Sequence, residues 1–223
     1  MLTTKEAVRN LRQSIREESL IQGEWSAEEQ GRHVGCAMHQ MGGKEVDIRK
    51  PSDCPASVMP QWLAEWLPLA FDGVPADAVY AVAEDFAATL EATVGWTPGR
   101  WELLRIDFLC GLIDQAVAAA EPVSKDLPCW IDVFNACDRV KDALRGNGDL
   151  TAARAAAEAA AMAARAAVRK AWAAAARAAA RAATEETAGA AAEAAAGAAW
   201  EAGEAGAAAY REQFAMLRRL ASV

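Results

Sequence analysis

Apolar side chains recur every three to four residues along most of this chain, and that period predicts helices. Val8, Leu11 and Ile15 mark a first helix over residues 4–18, opened by Thr3 and Glu6 at capping-box spacing. Ser26 and Glu29 repeat that signature, which predicts a second helix over Gly31–Met41, closed by Gly42-Gly43. Residues 44–54 are polar and contain Pro51, so they read as a loop with room for one short strand. Pro55 suits a first helical turn, and Met59, Trp62, Leu63, Trp66, Leu67 and Phe71 continue as a wide apolar stripe. Asp72-Gly73 and Pro75 turn the chain. Val79, Val82, Phe86 and Leu90 then define a helix that Gly95 and Pro98-Gly99 end. Ile106, Cys110, Ile113 and Val117 place another over Arg100–Ala120, and Trp130, Phe134, Cys137, Val140 and Leu144 one more. With no convincing strand pair in view, the front part is expected to be all-α.

Gly146-Asn147-Gly148 is the clearest break. It divides the expected organisation into a helical domain, 1–148, and an alanine-rich helical arm, 149–223. Asp149 is a good N-cap, and alanine has the highest intrinsic helix propensity. Arg154 and Arg165 lie eleven residues apart, as do Glu158 and Arg169, and Lys170 and Arg181. That period favours a nearly straight helix. Basic groups dominate 151–183 and acidic groups dominate 184–223, with TEETAG between them. Two antiparallel helices paired basic against acidic are therefore expected, with one long kinked helix as the competitor. Tyr210, Phe214, Leu217 and Leu220 carry large side chains at helical spacing and are expected to dock.

Charge narrows the partners. The net charge of −8 is uneven: residues 1–150 hold 14 basic and 24 acidic groups, and the remainder 9 and 7. An acidic front domain is a poor binder of nucleic acid and of anionic membranes, since phosphate contacts need Lys and Arg. The arm, with Arg154–Arg181, is left as the candidate for a nucleic acid or nucleotide ligand. No apolar run approaches the roughly 20 residues of a membrane span. The five cysteines are odd in number and irregular in spacing, unlike a disulfide framework. The amino terminus carries no apolar signal core. A reduced, cytoplasmic protein is the expectation.

Candidate chemistry concentrates in one place. The only histidines are His33 and His39, both in RHVGCAMHQM. On a helix, His33 and Cys36 would share a face, as would Cys36 and His39, while the two histidines would diverge. His33, Cys36, His39 and Cys54 are all acceptable zinc ligands, so a zinc site is one reading. A thiol nucleophile at Cys36 or Cys54, activated by a histidine, is another. The bland reading is a small buried cysteine between half-buried histidines. Asp107 and Asp114 are seven residues apart, about 10 Å of helix rise, which is too far to grip one ion without other ligands. They read as a solvated face, and Asp53 as a helix cap. Trp62 and Trp66 belong to an apolar stripe and read as core. Trp172 and Trp200 stand alone in alanine surfaces and read as gap fillers or partner contacts, together with Arg177 and Arg181. Thr151 and Thr184 fall on the eleven-residue grid of an ice-binding array, but Met162 and Ala173 interrupt it. No phosphate loop, nucleophile elbow or dinucleotide fingerprint occurs.

The block DCPASVMPQWLAEWLPLAFDG, Asp53–Gly73, with GRHVGCAMHQ before it, resembles a segment of proteins from bacterial viruses and prophages. The Ala/Arg/Trp arm is similar to the alanine-rich tails of bacterial proteins labelled as immunity proteins. The resemblance implies a setting in a virus or mobile element and supplies no catalytic residues. Three functions follow as expectations. The first is a non-enzymatic interaction or inhibitor protein, binding another protein or itself, that counters a host defence or accompanies virion assembly. The second is a zinc or thiol enzyme built on the 33–54 cluster. The third is a binder of nucleic acid or nucleotide ligands through the arm.

Overall fold

The capping box forms as its spacing predicts. In the computed structural model, which describes residues 1–29, 32–44, 46–121, 130–166, 180 and 206–223, the Thr3 hydroxyl accepts the Glu6 N–H and the Glu6 carboxylate accepts the Thr3 N–H. The helix so opened, α1, spans Thr4–Arg16. A two-stranded antiparallel hairpin follows, β1 (Ser26–Glu29) and β2 (Arg32–Gly35), and then a short helix, α2 (Ala37–Gly42). This corrects the single helix expected over Gly31–Met41. Ser26 and Glu29 pair across strands as residues of β1, with Ser26 opposite Gly35, and do not cap a helix.

The remaining helices are α3 (Gln61–Gly73), α4 (Val79–Ala92), α5 (Pro98–Ala120), α6 (Trp130–Leu144), α7 (Leu150–Ala166) and α8 (Gly206–Ala221). Single 3-10 turns occupy Pro51–Asp53 and Ala76–Ala78. The protein is predominantly all-α, and no described helix is long and apolar enough to cross a membrane. The start of one helix moved. α3 begins after Pro60, six residues beyond the predicted Pro55, because Pro55 closes a turn through the Val58 N–H. Asp53 caps no helix; its carboxylate accepts the Arg49 N–H at 3.1 Å. Asp149 does cap, accepting from Thr151 and Ala152 at 2.8 and 3.2 Å.

Packing groups the elements into two compact units, Met1–Trp101 with Arg211–Val223, and Glu102–Tyr210. In the first, α1 packs on α2 and α4. The core holds Leu11, Met38, Met41, Leu63, Trp66, Phe71 and Phe86 with Phe214 and Leu217, all at most 2% exposed. Trp66 lies 4.6 Å from Phe214 between ring centroids, and Phe86 meets Phe214 edge-on at 6.1 Å. Of the carboxy-terminal side chains expected to dock, Phe214 and Leu217 do so in this core. Arg12 bridges α1 to α4 through Glu84 and Glu91, and Arg218 pairs with Asp85.

In the second unit, Phe108, Leu112 and Ile113 of α5 and Val133, Cys137 and Val140 of α6 are buried. α6 and α7 pack on one another, so Gly146–Gly148 is a turn inside a compact unit. Ala153, Ala157 and Ala160 form the buried stripe of α7. Their lack of bulk permits close backbone approach. Arg154 pairs with Glu158 on the same helix at 2.8 Å, as an i,i+4 pair does. The expected helix pairing around TEETAG, together with Trp172, Arg177, Arg181 and Trp200, lies outside the described residues.

Candidate functional site

The two histidines meet. His33 extends from β2 and His39 from α2, and their Nε2 atoms stand 2.8 Å apart with ring centroids 5.1 Å apart. The helical reading made them diverge; the hairpin turns the chain back and makes them converge. Gly35 is what permits the turn. A β-carbon on it would sit 2.7 Å from His39 Cδ2 and 2.8 Å from the Trp25 carbonyl oxygen. That carbonyl is itself held by the Cys36 N–H at 3.0 Å.

Hydrogen bonding sets the ring tautomers. His39 Nδ1 lies 2.9 Å from the Ile48 carbonyl, which only accepts, so Nδ1 carries the proton. In neutral His39 the Nε2 atom is then a lone pair, and His33 Nε2–H donates to it. Asp47 lies 3.7 Å from the same Nδ1. The Arg49 guanidinium, hydrogen-bonded to Asp47, holds that carboxyl below its ordinary value, and the two histidines add to the effect.

The pair borders a cleft of about 540 Å³ between α1 and the β2–α2 segment, walled by Arg9, Asn10, Gln13, Ser14, Glu17, Ser19, Gln40 and Lys44. Its walls are tied together. Ser14 donates to Gln40 at 3.0 Å, Gln40 to the Ser19 carbonyl at 3.2 Å, and Asn10 to the Met41 carbonyl at 3.1 Å. Arg9 and Lys44 outnumber Glu17, a local excess of positive charge in a chain of net charge −8.

The structure brings together only two of the four candidate zinc ligands. Cys36 is the N-cap of α2, its Sγ accepting the His39 N–H at 3.5 Å. It borders a separate hollow of about 60 Å³ with Trp25, Pro68 and Asp72. The Cys54 thiol points to the Pro55 carbonyl, 4.0 Å away. Among the described residues, no three His, Cys, Asp or Glu side chains gather to hold a metal ion. Asp107 and Asp114 form no shared site either. Asp114 accepts from Lys141 at 2.7 Å, and Lys141 also reaches Asp138. Burial lowers the Lys141 ammonium, but these two carboxylates outweigh it and the net shift is upward.

The four described thiols are held away from the thiolate form. Burial pushes Cys36 and Cys110 up from their ordinary values, Cys54 to about 11 and Cys137 to about 12. The reactive form is the thiolate, so a raised value means less of it at neutral pH. At pH 8, moving a thiol from 9.0 to about 11 cuts its thiolate fraction roughly 100-fold. Iodoacetamide on the native protein at pH 8 is therefore expected to label Cys54 and Cys137 at least 100 times more slowly than free cysteine. Labelling of Cys36 or Cys54 at the free rate would restore the thiol-nucleophile reading.

Sequence reasoning found both histidines but missed Gly35, the Ile48 carbonyl and the α1 wall. Gly35, between the two histidines in RHVGCAMH, was the one local sign of a chain reversal; the Ile48 carbonyl and the α1 wall left none. No protein family, curated protein or solved structure matches this chain.

Proposed function

We propose that this is a non-enzymatic binding protein, an interaction or inhibitor protein of a phage or mobile element, that recognises a polar, acidic surface of its partner through the His33–His39 cleft. The observation that carries the reading is the cleft wall: Arg9, Lys44 and two histidines against one acid, Glu17, beside amide and hydroxyl side chains. Polar groups converging in a cleft of this size suit recognition, and a local positive field in an acidic chain steers acidic partners and rejects basic ones. The buried, protonated thiols weigh against the thiol-enzyme alternative. The phage setting rests on the likeness of the 53–73 block. Within it Cys54, Met59, Leu63, Trp66, Leu67 and Phe71 are buried, so the block supplies the scaffold under the cleft and not its walls. The arm is read as accessory, with Trp172, Trp200, Arg177 and Arg181 as further partner contacts and as the seat of any nucleic-acid binding.

The test is capture from host lysate with the wild-type chain, an Arg9→Glu/Lys44→Glu double variant and an Arg139→Glu control on α6. The reading expects the captured protein to fall at least tenfold with the double variant and to persist with the control. Equal capture by the double variant would move the interface elsewhere, with the exposed Ile131 and Phe134 of α6 the next surface to reverse.

A further inference from the structure

We infer that the His33–His39 pair ties recognition in the cleft to protons: the pair takes up one proton, at His33 Nδ1, without breaking its ring-to-ring hydrogen bond, and the cleft then holds an acidic group more tightly. The second half rests on the acidic-partner reading above; the first is a property of the free chain.

Four ring nitrogens fix the count. His39 Nδ1 holds a proton because the Ile48 carbonyl, 2.9 Å away, only accepts. A second proton lies between the two Nε2 atoms, which face each other at 2.8 Å. His33 Nδ1 is therefore the nitrogen that neither holds nor accepts a proton, and among the described residues it has no partner. A proton arriving from solvent bonds there. The bridging proton stays, so the neutral pair becomes an imidazole–imidazolium pair with its contact intact, and a charge-assisted hydrogen bond is the stronger kind. Moving the bridging proton from His33 to His39 leaves the count unchanged. A further proton would have to go to the remaining Nε2 lone pair. That would set two N–H groups head to head and open the contact.

Charge gives the added proton its effect. On the cleft wall, Arg9 and Glu17 come from α1 and Lys44 follows α2. One proton on the pair raises the wall's excess of positive charge from one to two. Glu28 stands opposite His33 on β1, and Asp47 lies 3.7 Å from His39 Nδ1 but is taken up by Arg49 at 2.6 Å. The Cys36 thiol accepts the His39 N–H and stays neutral, since burial pushes it up. The sign follows. An anion in the cleft favours the charged pair, so its binding draws a proton in, and lowering the pH strengthens its binding by the same coupling.

The experiment uses the untagged full chain, with hexaglutamate as the probe. Imidazole nitrogen resonances of the free chain are followed from about pH 8 to about pH 6, across the ordinary histidine value of about 6.5 and above the ordinary glutamate value of about 4.3. His33 Nδ1 should gain a proton while the coupling across the Nε2–H···Nε2 bond persists. Loss of that coupling as the first proton enters overturns the pair as described, and this readout needs no variant. Calorimetric titration of hexaglutamate then compares the two ends of the range. Affinity is expected to be about fivefold or more higher at the lower pH, with at most one proton taken up per peptide. A His33→Gln/His39→Gln variant, which has no histidine left, should lose that difference. Equal affinities in wild type, or an unchanged difference in the variant, overturn the coupling and leave the acidic-partner reading standing. Arg9→Glu/Lys44→Glu should lose the peptide at both ends yet keep the imidazole titration. No binding by wild type at either end overturns the partner reading and the coupling together.

Discussion

Trp66→Ala should destabilise the first unit by about 3–5 kcal/mol. Trp66 is fully buried in the centre of α3, its ring tilted against Phe214 at 4.6 Å and 6.4 Å from Phe86 between centroids. Truncation removes the ring and leaves a cavity whose walls come from α3, α4 and α8, which cannot all collapse into it. It also removes a donor, since the Trp66 indole N–H points at the Gln213 side-chain oxygen at 3.4 Å, and Gln213 is itself buried. For a chain of this length each kcal/mol moves the melting temperature by about 2–4 °C, so a drop of roughly 6–20 °C is expected. Trp66→Phe keeps most of the apolar area and should cost distinctly less. Thermal unfolding followed by far-UV circular dichroism measures both. A drop of under 3 °C for the alanine variant would mean that α8 does not close the core as described.

The second large effect is expected at Gly35. A methyl group there meets His39 Cδ2 at 2.7 Å, the Trp25 carbonyl at 2.8 Å and the Gln40 amide nitrogen at 3.3 Å. The rings and amide can swing aside, but the carbonyl is backbone and already bonded to the Cys36 N–H. Overpacking of this kind costs about 1–3 kcal/mol. The more specific consequence is local. His39 must leave its position, the 2.8 Å contact with His33 breaks, and the cleft loses its shape. Imidazole nitrogen resonances distinguish the outcomes. Wild type should show His39 protonated on Nδ1 and His33 on Nε2; Gly35→Ala should show two rings without the inter-ring bond. An unchanged imidazole spectrum in the variant would show that Gly35 is not what positions the pair.

Helices were legible wherever a long apolar period met a strong stop. Thr3 and Glu6, Asp149, Gly95 and the Trp62–Phe71 stripe each acted locally, through caps, propensity and a single buried face, so local pattern sufficed. The hairpin was not legible. Four-residue strands carry too few alternations to outvote the Ser26/Glu29 capping spacing, and the pairing of Glu28 with His33 is a property of two segments at once. The same limit hid the cleft. Arg9, Gln13 and Glu17 share a face of α1 at helical intervals, but nothing in the chain links them to His39 or Lys44 until α1 packs on α2. The docking of Phe214 on Trp66 joins residues 148 positions apart, which is why the arm's end joins the first unit in the fold although the composition placed it with the arm.

The cleft as recognition site is the central claim, and hydrogen–deuterium exchange of the chain alone and with its co-purified host partner tests it most directly. The account predicts slowed exchange in residues 9–19 and 33–44, which wall the cleft, with 130–144 unchanged. Protection confined to 130–144, with the cleft segments exchanging as they do in the free chain, would contradict it.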